Sequence, residues 1–220
     1  MQIQRRDFLG TLSAGALAAS LEAPAAVAAN ADQGLAGKWD LSWTERVNRK
    51  HRAVFDSPEF SDGAALVRAC NWKAEYKEVY GTPPEDMSAV LVMRSDGVWL
   101  TMNDEFWKTY KVGQENDFKV GANGKFQETN PIANLPAGAK PSELEHTLPK
   151  FTASGNIALA CHRAFGGIVA LVKRVDKLAT KEEAEAKART FLLPGVILQP
   201  SGVFATLRAQ EAGCNYILAS

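Results

Sequence analysis

Short apolar runs alternate with helical patterns along most of this chain. Five runs have the length and composition of strands, with turn-forming residues at their ends. They are residues 51–56, 87–93, 157–161, 196–199 and 215–218. The run at 87–93 and the two that follow it are almost continuously apolar, which is typical of strands covered on both faces.

The segments between these strands carry apolar residues at helical spacing, with capping residues at several ends. The predicted helices span residues 61–81, 103–110, 143–151, 162–175, 181–192 and 203–212. Residues 112–145 lack periodicity and contain repeated glycine and proline, which is typical of a functional loop or an insertion. The alternation of strand and helix predicts an α/β fold with a mostly parallel five-stranded sheet covered by helices.

The first thirty residues have the pattern of an export signal. Arg5 and Arg6 are followed by Phe and Leu, then by a weakly apolar stretch at 11–21 and by small-residue cleavage patterns. This arrangement resembles a twin-arginine signal, which directs a folded protein to the periplasm. A membrane anchor is disfavoured because polar residues interrupt the stretch. We therefore expect residues 1–30 to be removed, leaving 31–220 as a single periplasmic domain without a membrane span.

Charge and composition exclude several functional classes. The chain has 25 Lys+Arg against 25 Asp+Glu, so it lacks the basic excess of a dedicated nucleic-acid binder. Hydrophobic residues make up 46%, which is too many for a disordered tail. The sequence contains no phosphate loop, no dinucleotide fingerprint and no metal-binding motif. We therefore predict neither a metal nor a cofactor, and no nucleic-acid partner.

Candidate chemistry lies where predicted strands end, because open parallel sheets bind ligands at their carboxyl edge. Cys161 ends a strand and a helix begins at the next residue, so the helix N-terminus is placed to stabilise a thiolate. His162 adds positive charge there when it is protonated. Asn103 follows the second strand region, and Ser201 and Gly202 follow the fourth strand. We treat Cys161 as the candidate nucleophile and the other four as candidate ligand-binding residues.

Each of these residues also has a structural explanation. Free cysteine is among the most buried residue types, so Cys161 fits a core position equally well. Ser201 fits an ordinary helix N-cap, which we prefer for it. Cys70 is interpreted first as a packing residue, whereas Cys214 fits packing, a second thiol or half of a disulfide. The sequence does not choose which two of the three cysteines would pair.

Several segments of the chain are similar to the DsrE/DsrF-like family. The clearest is the strand–cysteine–helix segment, and a Gln-x-x-Gly pattern before the last strand strengthens the match. The similar stretches are residues 89–93, 100–104, 156–165, 195–205 and 208–217. The resemblance covers most of residues 50–219 and is strongest after residue 156. Within it, the C-terminal stretch is fairly specific to an exported branch of the family.

The resemblance implies a three-layer α/β/α domain that assembles into a homo-oligomer. Some family members pass sulfur as a cysteine persulfide, and Cys161 matches their sulfur-carrying position. This implies a sulfur carrier, with a sulfur-donor or acceptor protein or a small ligand as its partner. The competing hypothesis is a non-catalytic ligand-binding or oligomeric assembly module, with a pocket flanked by Asn103, Trp107 and Ser201. A third hypothesis is disulfide exchange between Cys161 and another cysteine.

Overall fold

Five parallel strands form the central sheet in a computed structural model, which describes residues 38–120, 124–134 and 146–220. The strands are β1 (His51–Ser57), β2 (Met87–Met93), β3 (Lys119–Val120), β4 (Lys125–Phe126), β5 (Ile157–Cys161), β6 (Val196–Gln199) and β7 (Asn215–Leu218). The sheet order is β6-β5-β2-β1-β7, and all four pairings are parallel. The short strands β3 and β4 pair with each other as an antiparallel hairpin.

Helices connect the strands and cover both faces of the sheet. They are α1 (Ala64–Tyr80), α2 (Asp104–Thr109), α3 (Val112–Glu115), α4 (Leu148–Ala153), α5 (His162–Asp176), α6 (Lys181–Arg189) and α7 (Gly202–Glu211). Short 3₁₀ helices occupy Ser42–Arg46, Ser61–Gly63, Pro84–Asp86 and Ser95–Thr101. None of the described helices is long and apolar enough to cross a bilayer.

The strands are apolar on both sides because each side faces a separate hydrophobic cluster. All seven residues of β2 are buried. Side chains of successive strand residues point to opposite faces. Leu91 accordingly packs in the cluster beneath α1 and α5, whereas Val90 and Val92 pack in the cluster beneath α7. The predicted three-layer α/β fold with a parallel five-stranded sheet is confirmed.

The order of the strands explains why α7 lies apart from the other long helices. The chain steps from β1 to β2, β5 and β6 in one direction across the sheet, and then returns to β7 on the far side of β1. Crossovers between parallel strands are right-handed, so a step in the opposite direction places its helix on the opposite face. The N-terminus of α7 therefore reaches the carboxyl edge of the sheet from its own side.

The element boundaries differ from the prediction in a few places. Between residues 112 and 134, the described part contains α3 and the β3–β4 hairpin rather than only irregular chain. The helix predicted at 181–192 ends at Arg189, and a turn follows it. The predicted export signal, residues 1–30, lies outside the described residues.

Candidate functional site

The strand register brings three side chains to one level at the carboxyl edge of the sheet. Met93 pairs with Ala160, so Arg94, the residue after β2, lies level with Cys161. Cys161 in turn pairs with Gln199 at the end of β6. Neighbouring strands lie about 4.8 Å apart, and strand alternation directs all three side chains to the α7 side.

Cys161 sits at the junction of β5 and α5 and is the N-cap residue of that helix. Its Sγ accepts a hydrogen bond from the backbone N–H of Ala164 at 3.4 Å. Cys161 is buried, with 7% of its surface exposed. An N–H donor and the positive end of the helix dipole both favour negative charge on this sulfur. The predicted strand-to-helix switch at this cysteine is therefore present.

Arg94 is held in place by a buried carboxylate. Its Nε and Nη2 donate to the two oxygens of Asp56 at 2.8 and 2.9 Å, and the hydroxyl of Tyr216 donates to Asp56 Oδ2 at 2.9 Å. Asp56 is only 2% exposed. Hydrogen bonding to Asp56 raises the pKa of Arg94, so the guanidinium stays charged. Burial, followed by the hydrogen bond to Asp56, raises the pKa of Tyr216.

The first turn of α7 packs directly on the stem of Arg94. A Cβ atom added to Gly202 would lie 2.5 Å from Cβ of Arg94 and 2.6 Å from its Cδ, so only glycine fits there. Ser201 caps the same helix, because its Oγ accepts the backbone N–H of Phe204 at 3.1 Å. The preferred interpretation of Ser201 as an N-cap is confirmed.

Cys161, Arg94 and the start of α7 line an open cleft of about 710 Å³. Its polar lining consists of Arg94, Ser95, Cys161, Arg163 and Ser201, and Gly202 and Val203 complete the wall next to α7. Arg163 is exposed and forms no ion pair or hydrogen bond with any described residue. No acidic side chain appears among the described lining residues, so the charged groups that face the thiol in this cleft are the guanidinium groups of Arg94, which is paired with Asp56, and of Arg163.

The structure does not bring His162 into this cleft. Its Nε2 lies 3.0 Å from Oε1 of Glu185 on α6, and its ring contacts Trp39 edge to face at a centroid distance of 5.1 Å. Hydrogen bonds from His162 and then from Arg189 lower the pKa of Glu185. The imidazole therefore serves the α5–α6 contact rather than the thiol beside it.

Asn103 also lies outside the cleft, and the expectation that it follows a strand of the sheet is wrong. The apolar segment before it forms a 3₁₀ helix, and Asn103 caps α2 by accepting the backbone N–H of Phe106 at 2.9 Å. Trp107 is fully buried, and its indole N–H donates to the carbonyl oxygen of Trp99 at 3.0 Å. The residue that actually follows β2 at the carboxyl edge is Arg94.

The other two cysteines lie far from Cys161, and the three form no disulfide. Cys214 precedes β7 at the amino edge, where burial raises the pKa of its thiol to about 11. Cys70 lies on α1 and packs against the hydrophobic cluster on the face of the sheet opposite to Cys161. The five residues of β5 alone span about 16 Å, whereas a disulfide needs Cα atoms within about 7 Å. The fold therefore excludes a direct disulfide between Cys161 and Cys214.

Sequence reasoning missed Arg94, Asp56, Arg163 and Tyr216. The rule that selected Cys161 also applies to Arg94, since it directly follows a predicted strand. For Asp56 the sequence offers a weaker indication of a functional role, namely a single acidic residue at the end of an apolar run. Tyr216 had none, because its contact with Asp56 depends on β7 pairing with β1.

Within the described residues, no group of three His, Cys, Asp or Glu side chains is arranged to hold a metal ion. Comparison with protein families, with curated proteins and with solved structures finds no match to this chain. The fold and the site together define a three-layer α/β protein with a cysteine–arginine cleft at the carboxyl edge of its sheet.

Proposed function

We propose that this protein is an exported, DsrE-like sulfur carrier that holds a persulfide on Cys161. The observation that carries the proposal is the position of the thiol, which caps α5 and lines an open cleft with Arg94 and Arg163. The sequence resemblance of this segment to the DsrE/DsrF-like family supports it. The twin-arginine pattern at residues 1–30 supports export to the periplasm.

Sulfur transfer through Cys161 takes two nucleophilic attacks by thiolates, and the surrounding residues need only stabilise the anions. The Cys161 thiolate attacks a sulfane sulfur of the donor, a new S–S bond forms, and the donor's own S–S bond breaks with its electron pair on the leaving sulfur. An acceptor thiolate then attacks the outer sulfur of the persulfide and releases the Cys161 thiolate. The N–H of Ala164 and the nearby guanidinium groups stabilise the anion at each stage.

The test is sulfur loading followed by intact-mass analysis. Mature protein recovered from the periplasm is incubated with inorganic polysulfide, and its mass is compared before and after alkylation of thiols. We expect a gain of one sulfur atom that maps to Cys161 and is absent from Cys161→Ser. Cys214→Ser is the matched control, because the buried Cys214 lies at the other edge of the sheet and should leave loading unchanged.

Failure of the wild-type protein to gain sulfur, with Cys161 resistant to alkylation until the protein unfolds, would make this cysteine a core residue. Recovery of an uncleaved protein from the cytoplasm alone would remove the export part of the proposal.

A second candidate function is a non-catalytic assembly module. It is favoured by apolar side chains that α7 and the edge strand β7 leave exposed. Val203, Leu207 and Leu218 are 62%, 54% and 60% exposed. Soluble monomers rarely leave large apolar patches uncovered, so such a surface is typical of a contact with another molecule. We propose a homo-oligomer built on this face. Such an assembly is compatible with both the sulfur-carrier and the assembly-module function, because the cleft opens beside this face.

A further inference from the structure

One side of the Arg94 guanidinium is hydrogen-bonded to Asp56, and the donors on its other side are open to a ligand. Nε and Nη2 are bonded to Asp56, whereas Nη1 has no hydrogen-bond partner among the described residues. In this side-on geometry Nη1 points away from the carboxylate. Because β2 lies between β1 and β5, Asp56 is on one side of Arg94 and Cys161 is on the other. The available donors therefore lie on the side of the thiol.

Two further groups give the cleft a preference for anions. Arg163, in the first turn of α5, supplies a second positive charge that no described acidic residue neutralises. The first turn of α7 brings the backbone N–H groups of Gly202 and Val203 to the opposite wall. The Asp56 side chain is only 3% exposed, so its negative charge faces the protein interior rather than the cleft.

A guanidinium recognises oxygen atoms better than it recognises sulfur chains. Its planar donors match pairs of oxygens on carboxylate, phosphate or sulfur oxyanions, and such charge-assisted bonds are stronger than neutral ones. A ligand that satisfies the arginines and also reacts with Cys161 needs both an oxyanion group and a transferable sulfur.

Building on the sulfur-carrier function proposed above, we propose that the cleft binds a small sulfur oxyanion with a terminal sulfane sulfur, of which thiosulfate is the simplest. Arg94 and Arg163 bind its oxygens while Cys161 takes its outer sulfur. Asp56 and Tyr216 act as positioning residues that orient Arg94.

The transfer balances without any further reactant. The Cys161 thiolate attacks the outer sulfur of thiosulfate and forms the new S–S bond. The bond between the two thiosulfate sulfurs breaks, and its electron pair leaves with sulfite. One monoanion and one dianion give a persulfide monoanion and a sulfite dianion, so no external oxidant or reductant is needed. Negative charge grows on the sulfite oxygens as the bond breaks, where the guanidinium groups stabilise it.

The test compares two sulfur donors on the same variants. Thiosulfate has the oxyanion group, whereas inorganic polysulfide has transferable sulfur but no oxygen. We expect Arg163→Gln and Arg94→Gln each to lower the ratio of the thiosulfate to the polysulfide loading rate by roughly tenfold, the cost of one charge-assisted hydrogen bond. Arg174→Gln is the control, because Arg174 pairs with Glu115 on the surface away from the cleft and should leave the ratio unchanged.

Arg94→Gln leaves the buried Asp56 carboxylate without its cation, and this variant can fail to fold. A second measurement therefore keeps Arg94 in place. Thiosulfate binding is measured by calorimetry on Cys161→Ser, which cannot accept sulfur, and again with Arg163→Gln added at the exposed position. We expect binding to Cys161→Ser and at least a severalfold weaker affinity after Arg163 is replaced.

The possible outcomes separate this inference from the sulfur-carrier function. If Cys161 loads from polysulfide but not from thiosulfate, or if both arginine variants keep the wild-type ratio, the oxyanion site is wrong and the carrier function stands. If Cys161 loads from neither donor, both are wrong. A ratio that falls in both arginine variants and not in the control supports the site.

Discussion

Among single residues, the glycine in the wall of the cleft sets how closely α7 approaches the side chain of Arg94. Gly202 begins α7 and allows the helix to pack on the Arg94 stem, which carries the guanidinium toward Asp56. The glycine in the cleft wall is therefore needed for close approach, and its φ angle lies outside the left-handed range.

Gly202→Ala should consequently disturb the site as well as the fold. The new Cβ would lie 2.5 Å from Cβ of Arg94. That atom is fixed to the backbone and cannot swing aside as the end of a flexible side chain can, so α7 or β2 must shift. We expect a loss of about 1–3 kcal/mol in unfolding free energy and slower sulfur loading. Urea denaturation and the loading assay measure the two effects.

Gly166→Ala is the matched control within α5. A Cβ there meets no atom within 4 Å, so we expect a gain of roughly 0.5–1 kcal/mol from helix propensity. Equal stability and equal loading for wild type and Gly202→Ala would contradict the packing argument.

At the scale of elements, one polar cluster joins three helices. The hydroxyl of Tyr110, at the end of α2, donates to Oδ2 of Asp176 in α5 at 2.7 Å, and Nζ of Lys187 in α6 lies 2.8 Å from the same oxygen. Burial, then the hydrogen bond to Asp176, raises the pKa of Tyr110 to about 12. Hydrogen bonds from Lys187 and Tyr110 lower the pKa of Asp176.

The raised pKa of Tyr110 predicts a loss of stability at alkaline pH. A group whose pKa is higher in the folded state stabilises the protein below its unfolded pKa, about 10 for tyrosine, and loses this contribution as the pH rises to about 12. Tyr110→Phe should lower the unfolding free energy by about 1 kcal/mol at neutral pH. It should also flatten the decline between pH 10 and 12, as measured by urea unfolding.

Tyr80→Phe is the comparison for this measurement, since Tyr80 is 73% exposed and should leave both the stability and its pH dependence unchanged. An alkaline decline that is identical in wild type and Tyr110→Phe would show that this tyrosine does not contribute to it.

At the scale of the whole molecule, the apolar surface on α7 lies next to the cleft. Val203 both lines the cleft and is 62% exposed, and Leu207 follows it one turn later. The outer edge of β7 has no strand beside it within the described residues. An assembly through this face would place a second copy beside the mouth of the cleft.

Leu207→Glu should therefore change the oligomeric state. A buried, unpaired carboxylate is costly in an apolar interface. We therefore expect the dissociation constant of the proposed oligomer to rise at least tenfold. Sedimentation velocity measures this directly. Val79→Glu is the control, because Val79 is 68% exposed on α1 and away from this face. A wild-type protein that is strictly monomeric would contradict the assembly.

Local patterns predicted the strands of the central sheet, most of the helices and the place of the candidate nucleophile. A strand run that stops at Cys161 and turns helical at His162 depends on neighbouring residues alone, so the sequence predicts it. The expectation that Asn103 follows a strand of the sheet is wrong because residues 98–102 are as apolar as a strand but form part of a 3₁₀ helix and its end. This segment forms the 3₁₀ helix Ser95–Thr101 because it packs into the core. The residues that it packs against are distant in sequence, so local patterns do not predict this conformation.

The class of fold, the five strands of the central sheet, the longer helices and the cysteine at a strand end could thus be predicted from sequence alone, because they follow from hydrophobic periodicity and capping. That Arg94 lies beside Cys161, and that Asp56 and Tyr216 hold it there, emerged from the folded chain. These contacts depend on strand order and register. These depend on which faces the crossover helices cover, and on pairing between segments as far apart as β1 and β7.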